Sequence, residues 1–430
     1  MTEQLALTSA QTGVWVAQQL NPDDRCFTFA EYCDIAGPVD PALFAETLRE
    51  VAAATPALRA RFDLGDEGLV QYIEDTVEIP FHHLDLSAEP DPLAAAHRWM
   101  TEHQRTTTYD LVKGPLATWA LLRLTHRRHL WYRSLHHIVL DGFGYSLIAS
   151  HAADVYTALA SGRPLPPRPA GTLRQVVEAD TAYQHSAAFR AAAEFWRTRL
   201  AGQTETVSLT DWRPAPTNES LRETARLGPA DVTALRSLAS RLDVRWPAVV
   251  VAAVGVQLHR ATGVRRMAVG LPVAARTDTA LRQIPAMVSN TVPLRLSLTP
   301  DLDFASLIRQ AAAEVTTALQ HQRYPLERLA RDLPQLARNR RQFGPDINLM
   351  SFAYRNSYAG SPATVHTLNS GPVQDLTFNV YNRGMEEGMH LALDGNAALY
   401  TRRQLADHLD DFVTLLRSAP GLAEAGPIAP

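Results

Sequence analysis

The chain has 430 residues, of which 46% are hydrophobic and 20% charged, a composition that can bury cores and excludes a disordered chain. Its formal charge of −4 and pI near 6.4 lack the basic balance of a nucleic-acid binder. Length predicts roughly two or three domains. Lys113 is the only lysine, an arginine bias without functional content. Cys26 and Cys33 have neither metal-site nor CxxC spacing and make no disulfide framework, so a reducing compartment is expected. The N-terminus has no basic-then-apolar leader, and the longest apolar run, Trp246–Val256, is far short of a membrane span of about 20 residues. A cytoplasmic protein without membrane or nucleic-acid partners follows.

Helical and strand patterns alternate, which predicts an α/β or α+β fold. Asp40-Pro41 opens a helix with a capping carboxylate and a first-turn proline, and Phe44, Leu48 and Val51 recur on one face. Asp91-Pro92 repeats the device, for a helix running through Trp99 and His103. Pro115–Leu124 and Leu130–Val139 read as strands around the turn His126-Arg127-Arg128, and a helix is expected over Gly144–Leu159. The segment Ser161–Gly171 is too rich in proline and glycine for a helix or central strand and marks the expected boundary. Further helices are expected up to Leu200, after an Asp231 cap, and over the uniformly apolar Trp246–Val256, which predicts full burial. Leu376–Tyr381 and Met389–Asp394 read as paired strands, and Leu405, Leu409, Phe412 and Leu416 stripe a closing helix.

Several motifs carry little. Gly142–Leu147 has Leu where a dinucleotide fingerprint needs its third glycine, and no phosphate loop or GxSxG elbow exists. His82-His83 reads as strand-end surface, and the basic cluster Arg338, Arg340 and Arg341 reads first as solvated loop. One segment differs: HHIVLDG, His136–Gly142. Alternation along a strand sends adjacent side chains to opposite faces, so one histidine is available to a substrate while the other is held in the core. Asp141-Gly142 ends the strand in a turn, and a buried Asp141 requires a cation.

HHIVLDG resembles the HHxxxDG motif of condensation domains from nonribosomal peptide synthetases, members of the chloramphenicol-acetyltransferase-like superfamily. Flanking strings resemble the same family in order: Leu7–Trp15, Leu58–Phe62, GLPVAARTD from Gly270, PAMVSNTVPLRL from Pro285 and HQRYPLERL from His321. FGPDINLM from Phe343 and SGPVQDL from Ser370 resemble the enterobactin-type, siderophore-making branch. Ala54-Thr55 replace the Arg-His that opens the second of these motifs, and the marks of epimerization and heterocyclization relatives are missing.

The resemblance implies two acetyltransferase-like lobes in a V-shaped pseudo-dimer: residues 1–165 with the histidine motif, residues 166–425, and 426–430 as the start of a linker. It implies amide-bond formation by attack of a carrier-bound aminoacyl amine on a carrier-bound acyl or peptidyl thioester. Implied partners are an upstream donor carrier, a downstream acceptor carrier and a following adenylation domain. The phosphopantetheine arms belong to the carriers, so no cofactor or metal of its own is expected. His137 takes the catalytic position, His136 is its structural partner, Asp141 pins the loop, and Gly142 lies beside the acceptor path. Arg276 is preferred over Arg59 as the partner of Asp141, Asn290 and Ser370 are candidate channel residues, and Arg338, Arg340 and Arg341 are candidate carrier contacts.

The chemistry fits without the resemblance. A thioester is already activated, so the requirement is an unprotonated amine held against its carbon. A free α-amine has a pKa near 8, so an imidazole base would contribute roughly 10²–10⁴-fold near neutrality. Competing readings are a stand-alone acyltransferase with a diffusible acceptor and a non-catalytic recruitment domain of the same fold.

Overall fold

The computed structural model describes residues 3–22, 25–66, 68–201, 207–210, 219–333, 343–351, 357–369, 371–382 and 388–428. Contacts divide the chain into two units that it enters more than once. The first comprises Met1–His185, Arg276–Ser289 and Tyr354–Gly371; the second comprises Ser186–Ala275, Asn290–Ala353 and Pro372–Pro430. The proline-rich segment therefore lies inside the first unit, and a cut at 165/166 does not follow the contacts. The helix after it, α5 (Leu173–Gln184), buries Leu173, Val176 and Val177 in the first core, and its Asp180 accepts from both the main chain and hydroxyl of Ser9.

In the first unit the strands are β1 (Glu3–Ala6), β2 (Thr28–Ile35), β3 (Ala60–Gly65), β4 (Gly68–Ile73), β5 (Phe81–Asp85), β6 (Ala117–Thr125), β7 (Arg128–His136), β12 (Ser357–Tyr358) and β13 (Ser361–Asn369). Its other helices are α1 (Ser9–Leu20), α2 (Pro41–Ala54), α3 (Pro92–Thr106) and α4 (Gly142–Ala160). The order β12-β13-β2-β7-β6-β5 makes a six-stranded sheet, and β1-β4-β3 a smaller one. Asp40 and Asp91 cap α2 and α3 as their dipeptides predict. Phe44 of α2 and Ala152 of α4 share a core with Trp131 of β7, while Met100 of α3 packs on Tyr132, whose side chain points from the other face of that strand.

The second unit contains α6 (Ala187–Leu200), β8 (Ser220–Leu227), α7 (Pro229–Arg241), α8 (Pro247–Thr262), β9 (Arg266–Val273), β10 (Asn290–Ser297), α9 (Phe304–Gln320), α10 (Leu326–Asp332), β11 (Asp346–Met350), β14 (Leu376–Asn382), β15 (Met389–Asn396) and α11 (Arg402–Leu422). Its strands form one sheet ordered β10-β9-β11-β14-β15-β8. Helix α8 is buried from Ala248 to His259, as its uniformly apolar sequence predicts. Asp231 is not the cap of α7: Gly228 holds that position, and the Asp231 carboxylate, three residues in, accepts from the Gly228 N–H. Leu391, Leu393 and Phe378 enter the helical core, and deleting such a side chain costs about 2–5 kcal/mol. The opposite face of those strands carries Asn379 and Asp394, and Arg222 of the adjoining β8 sits beside Asp394. No described helix is long and apolar enough to cross a membrane.

Candidate functional site

The expected strand through Val139 stops at His136 because its neighbours stop. Strand β2 begins at Thr28, opposite His136, and β6 begins at Ala117, opposite Leu135. The chain then turns, with the His137 N–H donating to the Phe27 carbonyl (2.7 Å) and the Val139 N–H to that of His136 (3.1 Å). Asp141 follows as the N-cap of α4, its Oδ1 accepting from the Gly144 N–H at 2.9 Å. The Asp-Gly pair thus starts a helix rather than making a glycine turn.

The two histidines have unlike surroundings. His136 is buried; its Nδ1 accepts from the Ile138 N–H (3.2 Å) and its Nε2 lies 2.9 Å from Gln18 Oε1. Burial, and secondarily the neighbouring His137, push its pKa down to about 3. His137 is partly exposed, its ring edge-on to Phe29 with centroids 5.8 Å apart. Its Nδ1 is enclosed, and among the described residues neither Nδ1 nor Nε2 has a side-chain or amide hydrogen-bond partner. Burial lowers its pKa, against the opposing influence of its own main-chain carbonyl and of Asp141, so the ring is neutral near neutrality.

Asp141 is fully enclosed and amply bonded. Its Oδ2 accepts from Arg276 Nη1 (2.6 Å) and from the N–H groups of Val288 (3.0 Å) and Ser289 (2.9 Å). Burial alone would raise its pKa, but the Arg276 charge and hydrogen bond, with the Gly144 and Val288 amides, hold it below the usual carboxylate range. Arg276 also donates to the Ala286 carbonyl (2.9 Å) and lies over the Phe143 ring at 5.1 Å. Arg276 is therefore the partner of Asp141. Arg59 is engaged elsewhere, on the carbonyls of Glu74 and Asp75.

Asn290 belongs to the second unit, where it donates to the carbonyls of Gln322 and Tyr324 and accepts from the Leu326 N–H, fixing the turn between α9 and α10. Ser370, Arg338, Arg340 and Arg341 lie outside the described residues. His82 and His83 are exposed on β5, as expected. Among the described residues, no three His, Cys, Asp or Glu come together in a way that could hold a metal ion.

Sequence reasoning missed two neighbours of the histidines. Gly371 has φ +105°, which favours glycine, and a Cβ there would lie 3.4 Å from His137 Cδ2 and 3.9 Å from Nε2. Its signal was present, inside the SGPVQDL string. Gln18 follows Leu7–Trp15 by three residues, and nothing in its own neighbourhood reveals a bond to a residue 118 positions away. Together these residues present a neutral imidazole nitrogen able to accept a proton or hydrogen bond, on a loop locked by a buried ion pair.

The family model described as Condensation domain matches residues 1–423. The chain is 40% identical over 416 residues to a dimodular nonribosomal peptide synthase of Bacillus subtilis, covering 97% of this chain and 18% of that protein. It is 37% identical over 420 residues to an isonitrile lipopeptide synthase of Streptomyces coeruleorubidus, covering 97% of this chain and 28% of the relative. The chain thus spans less than a third of either relative. Among solved structures it resembles the starter condensation domain of rhizomide synthetase in complex with C8-CoA, with TM-score 0.92 and 37% identity over 99% of this chain and 96% of that one. It also resembles the first condensation domain of the calcium-dependent antibiotic synthetase, with TM-score 0.91 and 31% identity over 99% and 98% of the two chains. Sequence motifs, acetyltransferase-like fold and near-complete alignment agree: the chain belongs to the condensation domains of nonribosomal peptide synthetases, acyltransferases that form amide bonds from carrier-bound substrates.

Proposed function

We propose that His137 meets the acceptor amine while an acyl thioester is held against it. The observation that carries this is the His137 ring itself: partly exposed, fixed through its main chain, and with no described residue competing for Nε2. As the amine nitrogen bonds to the thioester carbon, Nε2 accepts its hydrogen bond or proton. The C–S bond then breaks and the proton passes to the departing thiolate. Asp141 and Arg276 hold the loop that begins α4, His136 braces the strand end, and Gly142 is the small residue beside the acceptor path. Donor and acceptor both arrive on phosphopantetheine arms of carrier proteins, so the domain supplies no cofactor. An adenylation domain follows it in the cytoplasmic synthetase, and Arg338, Arg340 and Arg341 offer guanidinium forks to carrier carboxylates and phosphate.

The donor is an acyl group rather than a peptide. Support comes from the similarity to starter condensation domains solved with C8-CoA and to a lipopeptide synthase. The test mixes the domain with one aminoacyl-loaded acceptor carrier and donor carriers bearing octanoyl, aryl or aminoacyl groups, and follows amide product by mass spectrometry. The expected result is faster product formation from an acyl or aryl donor. Faster consumption of the aminoacyl donor overturns the donor assignment, and undiminished turnover by His137→Ala overturns the residue assignment.

A further inference from the structure

We propose that Gln18 is a positioning residue for the condensation reaction, acting on His137 through the protonation state and tautomer of His136. This rests on the assignment of His137 to the acceptor amine. Gln18 is 5% exposed and sits in the last turn of α1. Its Nε2 donates to the carbonyls of Asn21 and Pro22, each at 3.0 Å. Those two acceptors decide which way the amide faces, leaving Oε1 toward His136. On the other side of the imidazole, Nδ1 already accepts from the Ile138 N–H. A ring that accepts at Nδ1 and is neutral carries its proton on Nε2, where the 2.9 Å contact makes Gln18 Oε1 the acceptor. Both neighbours therefore select one tautomer. The Ile138 N–H, which the second N–H of an imidazolium would oppose, disfavours the charged form, and the neutral Gln18 amide brings no negative charge to favour it.

The consequence falls on the adjacent histidine. An imidazolium at His136 would place a positive charge beside His137 and disfavour proton acceptance there. It would also move Ile138, whose carbonyl is held by Gln11 Nε2 of the same helix at 3.4 Å. Helix α1 thus grips the histidine loop twice, with Gln11 near its start and Gln18 near its end. Of the two, the Gln18 contact is the one that receives the His136 proton.

The experiment compares the intact chain with Gln18→Met, which keeps length and loses the acceptor, and Gln18→Glu, which keeps an acceptor and adds charge. Single-turnover rates with loaded carriers are measured across pH 6–9, beside melting temperature, and the His136 imidazole N–H is followed by nitrogen-15 NMR. In the unaltered chain the spectrum should show a neutral ring protonated at Nε2. Gln18→Met should lose about tenfold in turnover, the scale of one buried hydrogen bond, with unchanged half-saturation for carriers. Gln18→Glu should stabilise the imidazolium and steepen the acid side of the pH profile by adding a second ionisation to that of the acceptor amine. If Gln18→Met fails to fold, the Gln18→Glu profile and the spectrum of the unaltered chain still decide. An Nδ1-protonated His136, or a Gln18→Glu profile of unchanged shape, overturns the proposal. The spectrum of His137→Ala separates the two assignments: loss of the His137 role leaves the His136 tautomer intact, so either can fail alone.

Discussion

The string HxxxDG occurs in both units, at His137–Gly142 and again at His390–Gly395, and its two copies adopt different structures. The second copy lies wholly inside β15, which stays paired to β14 as far as Gly395 and to β8 as far as Asn396. Held as a strand, it turns Leu391 and Leu393 into the core and spaces His390 from Asp394 by about 13 Å, four steps of an extended chain. Asp394 pairs with Arg222 on the next strand, both contacts 2.6 Å, and Asn379 donates to it at 2.9 Å. Gly395 is small because Leu405 of α11 approaches within 2.8 Å of where its Cβ would be. In the first copy the neighbouring strands begin at Thr28 and Ala117, so the ladder ends at His136 and the following residues are free to turn. Asp141 then caps a helix and gathers main-chain amides from a distant segment, where Asp394 serves a sheet. Neighbour length, more than the string, separates a candidate catalytic loop from a structural strand.

The widest separation between the copies is expected in rate. His137→Ala should lower single-turnover amide formation by roughly 10²–10⁴-fold, whereas His390→Ala should change it only a few-fold. Equal losses would erase the functional distinction. A His137→Ala deficit that narrows as pH rises would identify a proton acceptor, and a constant deficit a positioning group.

Stability offers the next contrast. Asp141→Ala strands the buried Arg276, at a cost of about 3–5 kcal/mol, read as a fall in melting temperature. Asp394→Ala should cost less, because Arg222 is partly exposed and also donates to Tyr381. Only Asp141→Ala should also slow the molecules that remain folded. A wild-type melting curve for Asp141→Ala would sink its structural role.

A smaller effect separates the units by pH. In the first, burial pushes His103 down to about 4 and His136 down to about 3. The unfolded chain therefore binds more protons from about pH 6.5 downward, and this unit loses stability on acidification until those lower values are passed. In the second, burial and the neighbouring Asp375 raise Asp346 up to about 7. Its contribution has the opposite sign, present at acid pH and lost as pH rises through about 7. Hydrogen exchange at pH 5 should show protection falling in the first unit before the second, and Asp346→Asn should flatten the response of the second. Protection that falls equally in both would contradict this.

Local chemistry was legible wherever a few residues decide the outcome. The Asp-Pro pairs at Asp40 and Asp91 cap their helices because a carboxylate needs only the amides of the next turn. The apolar run of α8 announced its burial, and the pairing of β14 with β15 followed from two nearby strand patterns. The histidine motif and its neighbours in order carried the family resemblance and named Arg276 as the preferred cation. Gln18 and Gly371 were not legible as neighbours of the histidines, since each reaches them from a segment far along the chain.

By itself the sequence determined that the chain is a mixed α/β protein with a condensation-type histidine motif, because composition, periodicity and short capping rules act over a turn or a strand. Tertiary structure decided that residues 276–289 and 354–371 join the first unit, that β7 ends at His136, and that Asp141 draws its partners from Arg276, Val288 and Ser289. Those choices depend on where neighbouring strands begin and on charges brought together across 135 residues, which only the packed chain specifies.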